Sequence, residues 1–231
     1  MNRFGVRLAL GIAMVWSFVF GLAGCATESH QALQVEKTVT ASSKYSGPQS
    51  AIAVGKFDNR SNYMRGLFSD GVDRLGGQAK TILIGHLQET GRFEVMDRDN
   101  MEEIAREAQI AGKQQALKAA EVTITGDVVE FGRKETGDKQ LFGILGSGKR
   151  QVAYSKVTLN VVDVLTSQVL YTVSGAGEYE LSNREVIGFG GAAGYDSTLN
   201  GKVLDLAVRE AVDRLAEGLE KGSWAPMRRS K

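Results

Sequence analysis

Apolar and polar positions along this chain switch between two periods, one of strands and one of helices. Ser50 to Phe57 (SAIAVGKF) is a short apolar run of the kind buried in a mixed sheet. After a polar loop from Asp58 to Gly66, helical spacing takes over from Ser69 to Gln88. Val72, Leu75, Ala79, Ile82, Leu83, His86 and Leu87 fall on one face there, and Gly91 is placed to end the helix. The pair Gly76-Gly77 weakens that helix. Phe93 to Met96 predicts a short strand. Asp99-Asn100 followed by Glu102 and Glu103 predicts a capping box that starts a helix through Met101, Ile104, Ala105 and Ala108 to about Ile110. Gln114 to Ala120 can add a further turn or two to it.

Val122 to Phe131 alternates and is rich in β-branched residues, so it predicts a strand. Val152 to Leu165 predicts a longer one, with Val157, Leu159 and Val161 on one face. Thr166-Ser167 turns the chain, and Gln168 to Ser174 returns as a strand. Asn200 to Lys221 predicts a helix whose stripe is Leu204, Val208, Ala211, Val212, Leu215 and Leu219. The order β, α, β, α, β, β, β, α implies an α/β or α+β class, a mixed sheet with flanking helices. Two glycine-rich, charged segments fit neither period: 132–150 and 179–199. Loops of that length in a compact domain are usually functional or disordered.

The first residues stand apart from this pattern. Arg3 and Arg7 precede an apolar run from Leu8 to Phe20, and Leu22-Ala23-Gly24-Cys25 follows. A basic start, an apolar centre and a small-residue cleavage site make residues 1–24 a signal peptide. The apolar run is shorter than the roughly 20 residues of a spanning helix. The end of the segment reads as a lipobox. Cys25 is then the site of lipidation and the first residue of the mature chain; the other reading is an ordinary signal peptide that leaves a free thiol. Cys25 is the sole cysteine of the chain, and acylation explains a thiol with no partner in an oxidising compartment. Acyl chains at about 0.8 kcal/mol per buried CH₂ hold such a protein on a membrane. Ala26, where aspartate favours inner-membrane retention, points to the outer membrane, facing the periplasm. Residues 25–48 are polar and read as a tether, with Pro48 as a boundary.

Composition narrows the chemistry. The formal net charge is +1 with 28 basic and 27 acidic residues, and no basic face suggests nucleic acid. Gly143 to Arg150 resembles a phosphate-binding loop, but Arg150 stands where Ser or Thr binds magnesium and a strand follows it. Gly188 to Gly194 is glycine-rich without the strand and helix of a dinucleotide site. His30 lies in the tether and His86 on an apolar helix face, where a lone histidine is usually a satisfied core residue. No HExxH, GxSxG or metal-ligand cluster is present. The chain reads as a non-enzyme with no metal, cofactor or catalytic residue.

Several stretches together resemble the curli production assembly/transport component family, the CsgG-like lipoproteins. They are Ala51 to Phe57, Leu87 to Phe93 leading into Glu94 to Arg98, Leu141 to Ile144, Val157 to Val164, and the turn Thr166 to Leu170. The resemblance covers nearly the whole chain. It implies a periplasmic domain at residues 49–231, anchored by lipid and assembled with further copies into a ring. In the secretion-channel members each subunit inserts two β-hairpins into the outer membrane, and segments 132–150 and 179–199 lie where those hairpins would be. The resemblance also implies a channel narrowed by a loop carrying tyrosine, asparagine and phenylalanine. Tyr63 and Phe68 match that spacing, and Leu67 occupies the asparagine position. The implied function is an oligomeric outer-membrane pore for export or assembly of surface polypeptides. The alternative is a non-channel lipoprotein that docks onto an envelope partner for cell-wall synthesis or adhesion. Charge at successive positions of Gly132 to Lys139 favours the second reading.

Overall fold

The computed structural model describes residues 37–63, 73–139, 147–184 and 199–226. The compact unit that contains them begins at Lys37. It is α+β: a five-stranded mixed sheet with three α-helices among the described residues. In chain order these are β1 (Ser50–Asn59), α1 (Arg74–Glu89), β2 (Phe93–Met96), α2 (Met101–Ile110), β3 (Val122–Lys139), β4 (Ser147–Asp163), β5 (Val169–Arg184) and α3 (Leu199–Glu220). The sheet order is β2-β1-β3-β4-β5. β1 runs parallel to β2 and β3, and β4 is antiparallel to β3 and β5.

Alternation decides which face is covered. Val122, Ile124 and Val128 of β3, Val157, Leu159 and Val161 of β4, and Ile52 and Val54 of β1 are all buried in one core. α1 and α3 supply the other side of that core. α1 contributes Leu75, Ala79, Leu83 and Leu87; α3 contributes Val203, Leu204, Ala207, Val208, Ala211, Val212 and Leu215. The opposite face carries Thr158 bonded to Ser174 and Asn160 bonded to Thr172, each at 2.8 Å. α3 lies directly on β5. A Cβ on Gly175 would stand 2.3 Å from the Ala207 carbonyl oxygen and the Ala211 nitrogen, so only glycine admits this approach. Trp224 closes the end near the β4–β5 turn. Its indole donates to the Leu215 carbonyl at 3.1 Å and stacks near Phe93 and Tyr171.

The elements differ from the pattern in instructive places. α1 begins at Arg74, capped by Asp73, which accepts from the Gly76 amide at 2.8 Å; Gly76-Gly77 therefore sits in its first turn, where the cost of glycine is least. Gly91 ends it at φ 67°, as its position implied. The capping box before α2 does not form. Asn100 makes no cap bond and instead donates to Asp97, which also accepts the amides of Asp99 and Asn100. Nor does α2 extend into 114–120: Gly112 takes φ 66° and stops it.

The two segments set apart as hairpin insertions are described in part. Residues 132–139 and 147–150 are β3 and β4 continuing, paired from Gly132↔Tyr154 to Lys139↔Ser147. Residues 179–184 continue β5 and pair with Gly148–Ala153. The described part of the first segment is thus a β-hairpin, with 179–184 added beside it as the third strand of one arm; residues 185–198 of the second segment lie outside the described residues. A register shift between Val128 and Glu130 marks where the arm begins. The charged positions carry no apolar period, whereas the ladder bonds of a strand need none.

Candidate functional site

Three segments converge at the base of the arm. The loop after β1 begins with Asn59, whose side-chain oxygen accepts from the Ser61 amide and hydroxyl and whose amide nitrogen donates to the Tyr63 carbonyl. The Asn59 backbone N–H donates to the Asp73 carboxylate. Asp73 therefore caps α1 and also ties the exit of the loop to its entry.

Tyr63 is the foot of this loop. Its ring packs on Phe131 of β3, centroids 4.7 Å apart at 57°. Its hydroxyl accepts from the Asn200 side chain at 2.8 Å. The Asn200 oxygen in turn accepts from Arg133 of β3 at 3.2 Å. One chain of contacts thus joins the loop, the first arm strand and the start of α3. Across the arm, Lys202 of α3 sits 5.3 Å from the Tyr179 ring centroid on β5, a cation–π distance.

A second polar centre lies at the other end of α3. Arg92 is almost fully buried and holds four groups. Its Nε donates to Glu220 at 2.6 Å, its Nη1 to the Thr40 carbonyl at 2.7 Å and to the Thr90 carbonyl, and its Nη2 to the Ser43 hydroxyl at 2.6 Å. The Tyr45 ring lies 5.1 Å over the guanidinium. Asp213, also buried, accepts the Val39 amide at 3.0 Å and the Thr40 amide and hydroxyl at 2.9 and 2.7 Å. Residues 38–43 form a strap on the domain, so part of the stretch read as tether is docked. Traced backwards, the strap rises from Glu220 to Asp213, towards the N-terminal end of α3 and the base of the arm.

His86 links the helices beneath the arm. Its ring nitrogens lie 2.9 Å from Asp205 of α3 and 3.2 Å from Glu89 of α1, and it is 4% exposed. Burial pushes its pKa down, but the hydrogen bonds and charges of the two carboxylates outweigh burial and raise it above 6.5. The histidine is a satisfied core residue, consistent with its lone position on an apolar face. Among the described residues no group of His, Cys, Asp and Glu could hold a metal ion, and no helix is long and apolar enough to cross a membrane.

Of the residues singled out from the sequence, Tyr63 is at the arm base, while Cys25, Leu67 and Phe68 lie outside the described residues. Asn59, Asp73, Phe131, Arg133 and Asn200 carry the site and were not singled out. Asp73 had a usable signal, a cap residue just before a helical stripe. The others are joined by tertiary pairing alone.

Comparison with known proteins identifies the family. The family of the curli production assembly/transport component CsgG matches residues 32–231. The chain belongs to the CsgG family. A CsgG-family relative in Neisseria meningitidis serogroup B, named as a putative lipoprotein, is 58% identical over 90% of this chain and 93% of its own. Among solved structures, the CsgG-family chain is similar to the PelC dodecamer from Paraburkholderia phytofirmans: 16% identity, 74% of this chain, 93% of that one, TM-score 0.36. It is also similar to the lipoprotein GNA1162 from Neisseria meningitidis: 16% identity, 75% and 99% of the two chains, TM-score 0.36.

Proposed function

We propose that this CsgG-family chain is an outer-membrane lipoprotein of the curli export type, facing the periplasm and working as a ring of identical copies. Acyl chains on Cys25 anchor it. Polypeptide destined for the surface passes unfolded, by diffusion, without nucleotide. The arm of β3, β4 and β5 supplies the wall of the pore, and the loop between Tyr63 and Asp73 supplies its constriction through Tyr63, Leu67 and Phe68. No metal or cofactor takes part.

The observation that carries this reading is the arm base. A loop closed at its neck, an arm of long strands and the start of α3 are tied together through Tyr63, Asn200 and Arg133. Planar-bilayer conductance of the detergent-extracted lipoprotein tests it. Stepwise openings, larger in a Tyr63→Ala/Phe68→Ala variant, are expected. A well-behaved sample without conductance contradicts the pore.

One observation favours a second reading, a lipid-anchored scaffold that docks onto an envelope partner. Along 132–139 and 147–150 the sequence alternates no apolar row; Arg133, Lys134, Glu135, Asp138, Lys139, Lys149 and Arg150 interrupt it. A basic residue facing lipid costs about 2–4 kcal/mol at the bilayer midplane. If the arm stays in water, pull-down of a periplasmic partner through the arm replaces conductance as the expected result.

A further inference from the structure

A closed circuit of contacts runs round the base of the arm, and one of its members is an imidazole. It starts on α1, whose cap Asp73 accepts the Asn59 backbone N–H. The Asn59 side chain donates to the Tyr63 carbonyl at 3.0 Å. The Tyr63 hydroxyl accepts from Asn200, on the first turn of α3, at 2.8 Å. Further along α3, Asp205 lies 2.9 Å from Nε2 of His86, which returns the circuit to α1. Nδ1 of the same ring faces Glu89, the next turn of α1, at 3.2 Å.

The ring is the member that can change. A carboxylate accepts and cannot donate, and a neutral imidazole carries one N–H, so a neutral ring leaves one of its two contacts facing a lone pair. The imidazolium donates to both. The ring is 4% exposed, so water does not replace a lost bond. The charged groups at its nitrogens are Glu89 of α1 and Asp205 of α3. Lys202 and Arg209 flank Asp205 within a turn on α3, and Lys202 is held at the Tyr179 ring. The strands under α1 bring Ile52, Val54 and Phe93, which do not titrate. Burial lowers the pKa of His86, while the bonds and charges of Asp205 and Glu89 raise it above 6.5 on balance. That places its change of charge in the range over which histidine serves as a switch.

α3 is pressed against the arm. A Cβ on Gly177 of β5 would stand 2.9 Å from the Leu206 Cβ, and one on Gly175 would stand 2.3 Å from the Ala207 carbonyl oxygen. α3 therefore stays with the sheet, and a broken contact at His86 releases α1, which carries Asp73 and the neck of the loop. We infer that His86 is a proton-operated clasp: as the imidazolium it locks α1 to α3 and holds Tyr63 against Asn200, and when it loses its proton the base of the arm loosens. The clasp is closed in mild acid and looser in mild base. It acts in the same way whether the arm lines a pore or docks a partner.

Hydrogen exchange read by mass spectrometry tests it on the full lipidated chain in detergent, from about pH 5.5 to about pH 8.5, with rates corrected for the intrinsic effect of pH. As the pH rises, peptides covering 74–89 and 199–206 are expected to lose protection at least about fivefold, the loss of one charge-assisted bond screened by solvent. The β4 peptide 157–162 is expected to change less. His86→Gln is expected to abolish the pH dependence. Glu89→Gln keeps the Asp205 contact and is expected to move the transition to lower pH, which provides a second test if His86→Gln fails to fold. Protection at 74–89 and 199–206 that is independent of pH overturns the clasp, as does a dependence that survives in His86→Gln or a transition that stays in place in Glu89→Gln. A fall no greater there than at 157–162 also overturns it, because His86 then acts on overall stability alone. Exchange reads the clasp in a chain that does not conduct, so its failure and that of the pore are separate results.

Discussion

At the scale of single residues, two buried groups, Arg92 and His86, each make a measurable prediction. Arg92 gathers Glu220, Thr40, Thr90 and Ser43 around one guanidinium. Arg92→Ala strands two buried carbonyls and removes the Glu220 pair, so urea unfolding should lose about 3 kcal/mol. Arg92→Lys recovers only part of that, because one ammonium cannot reach all four partners. His86 predicts a pH dependence. Its folded pKa is raised above 6.5 by Asp205 and Glu89 against the effect of burial. Its contribution is therefore fully present below pH 6.5 and is lost as the pH rises through the raised value. Melting curves should place wild type furthest above His86→Gln in mild acid, with the gap closing towards alkaline pH. A gap that widens as the pH rises would contradict the assigned pairing.

At the scale of elements, α3 and the strap organise the rest. Gly175→Ala would push a methyl into the α3 backbone near Ala207 and Ala211, and overpacking of that kind costs about 1–3 kcal/mol in thermal or urea unfolding. Gly85→Ala in α1 meets nothing within 4 Å, so it should stabilise by up to about 1 kcal/mol. Asp213→Ala frees the strap, and trypsin should then cut at Lys37 and Lys44 faster than in wild type, with the remaining domain intact. The elements that bury a face were legible from the chain alone. The stripes of α1 and α3 and the alternation of Val122–Val128 and Val157–Val161 are records of burial, and burial is what a pattern of apolar residues reports. The arm was legible only through the family resemblance, which implied a hairpin at 132–150; its strands are held by backbone ladders, and its sequence alternates no apolar row. The strap was not legible. Its residues are polar like any tether, and only the distant partners Arg92 and Asp213 reveal that it is docked. The same holds for the arm base, where Tyr63 was singled out but Asn200 and Arg133 were not.

At the scale of the whole molecule, the domain has two ends with different chemistry. One end holds the β4–β5 turn, Trp224 and the Arg92 cluster. The other holds the arm, the closed loop and the start of α3. The strap climbs α3 from the first end towards the second. In the export reading, the arm crosses the outer membrane and the residues joining β3 to β4 emerge on the cell surface; in the docking reading, they stay in the periplasm. Surface labelling separates the two. With Cys25 acylated, an Ile144→Cys variant carries one reactive thiol, in the connection between β3 and β4. A membrane-impermeant maleimide applied to intact cells should label it, while Leu165→Cys at the opposite end should stay unlabelled until the outer membrane is permeabilised. Labelling of Ile144→Cys only after permeabilisation would contradict a membrane-crossing arm and, with it, the pore.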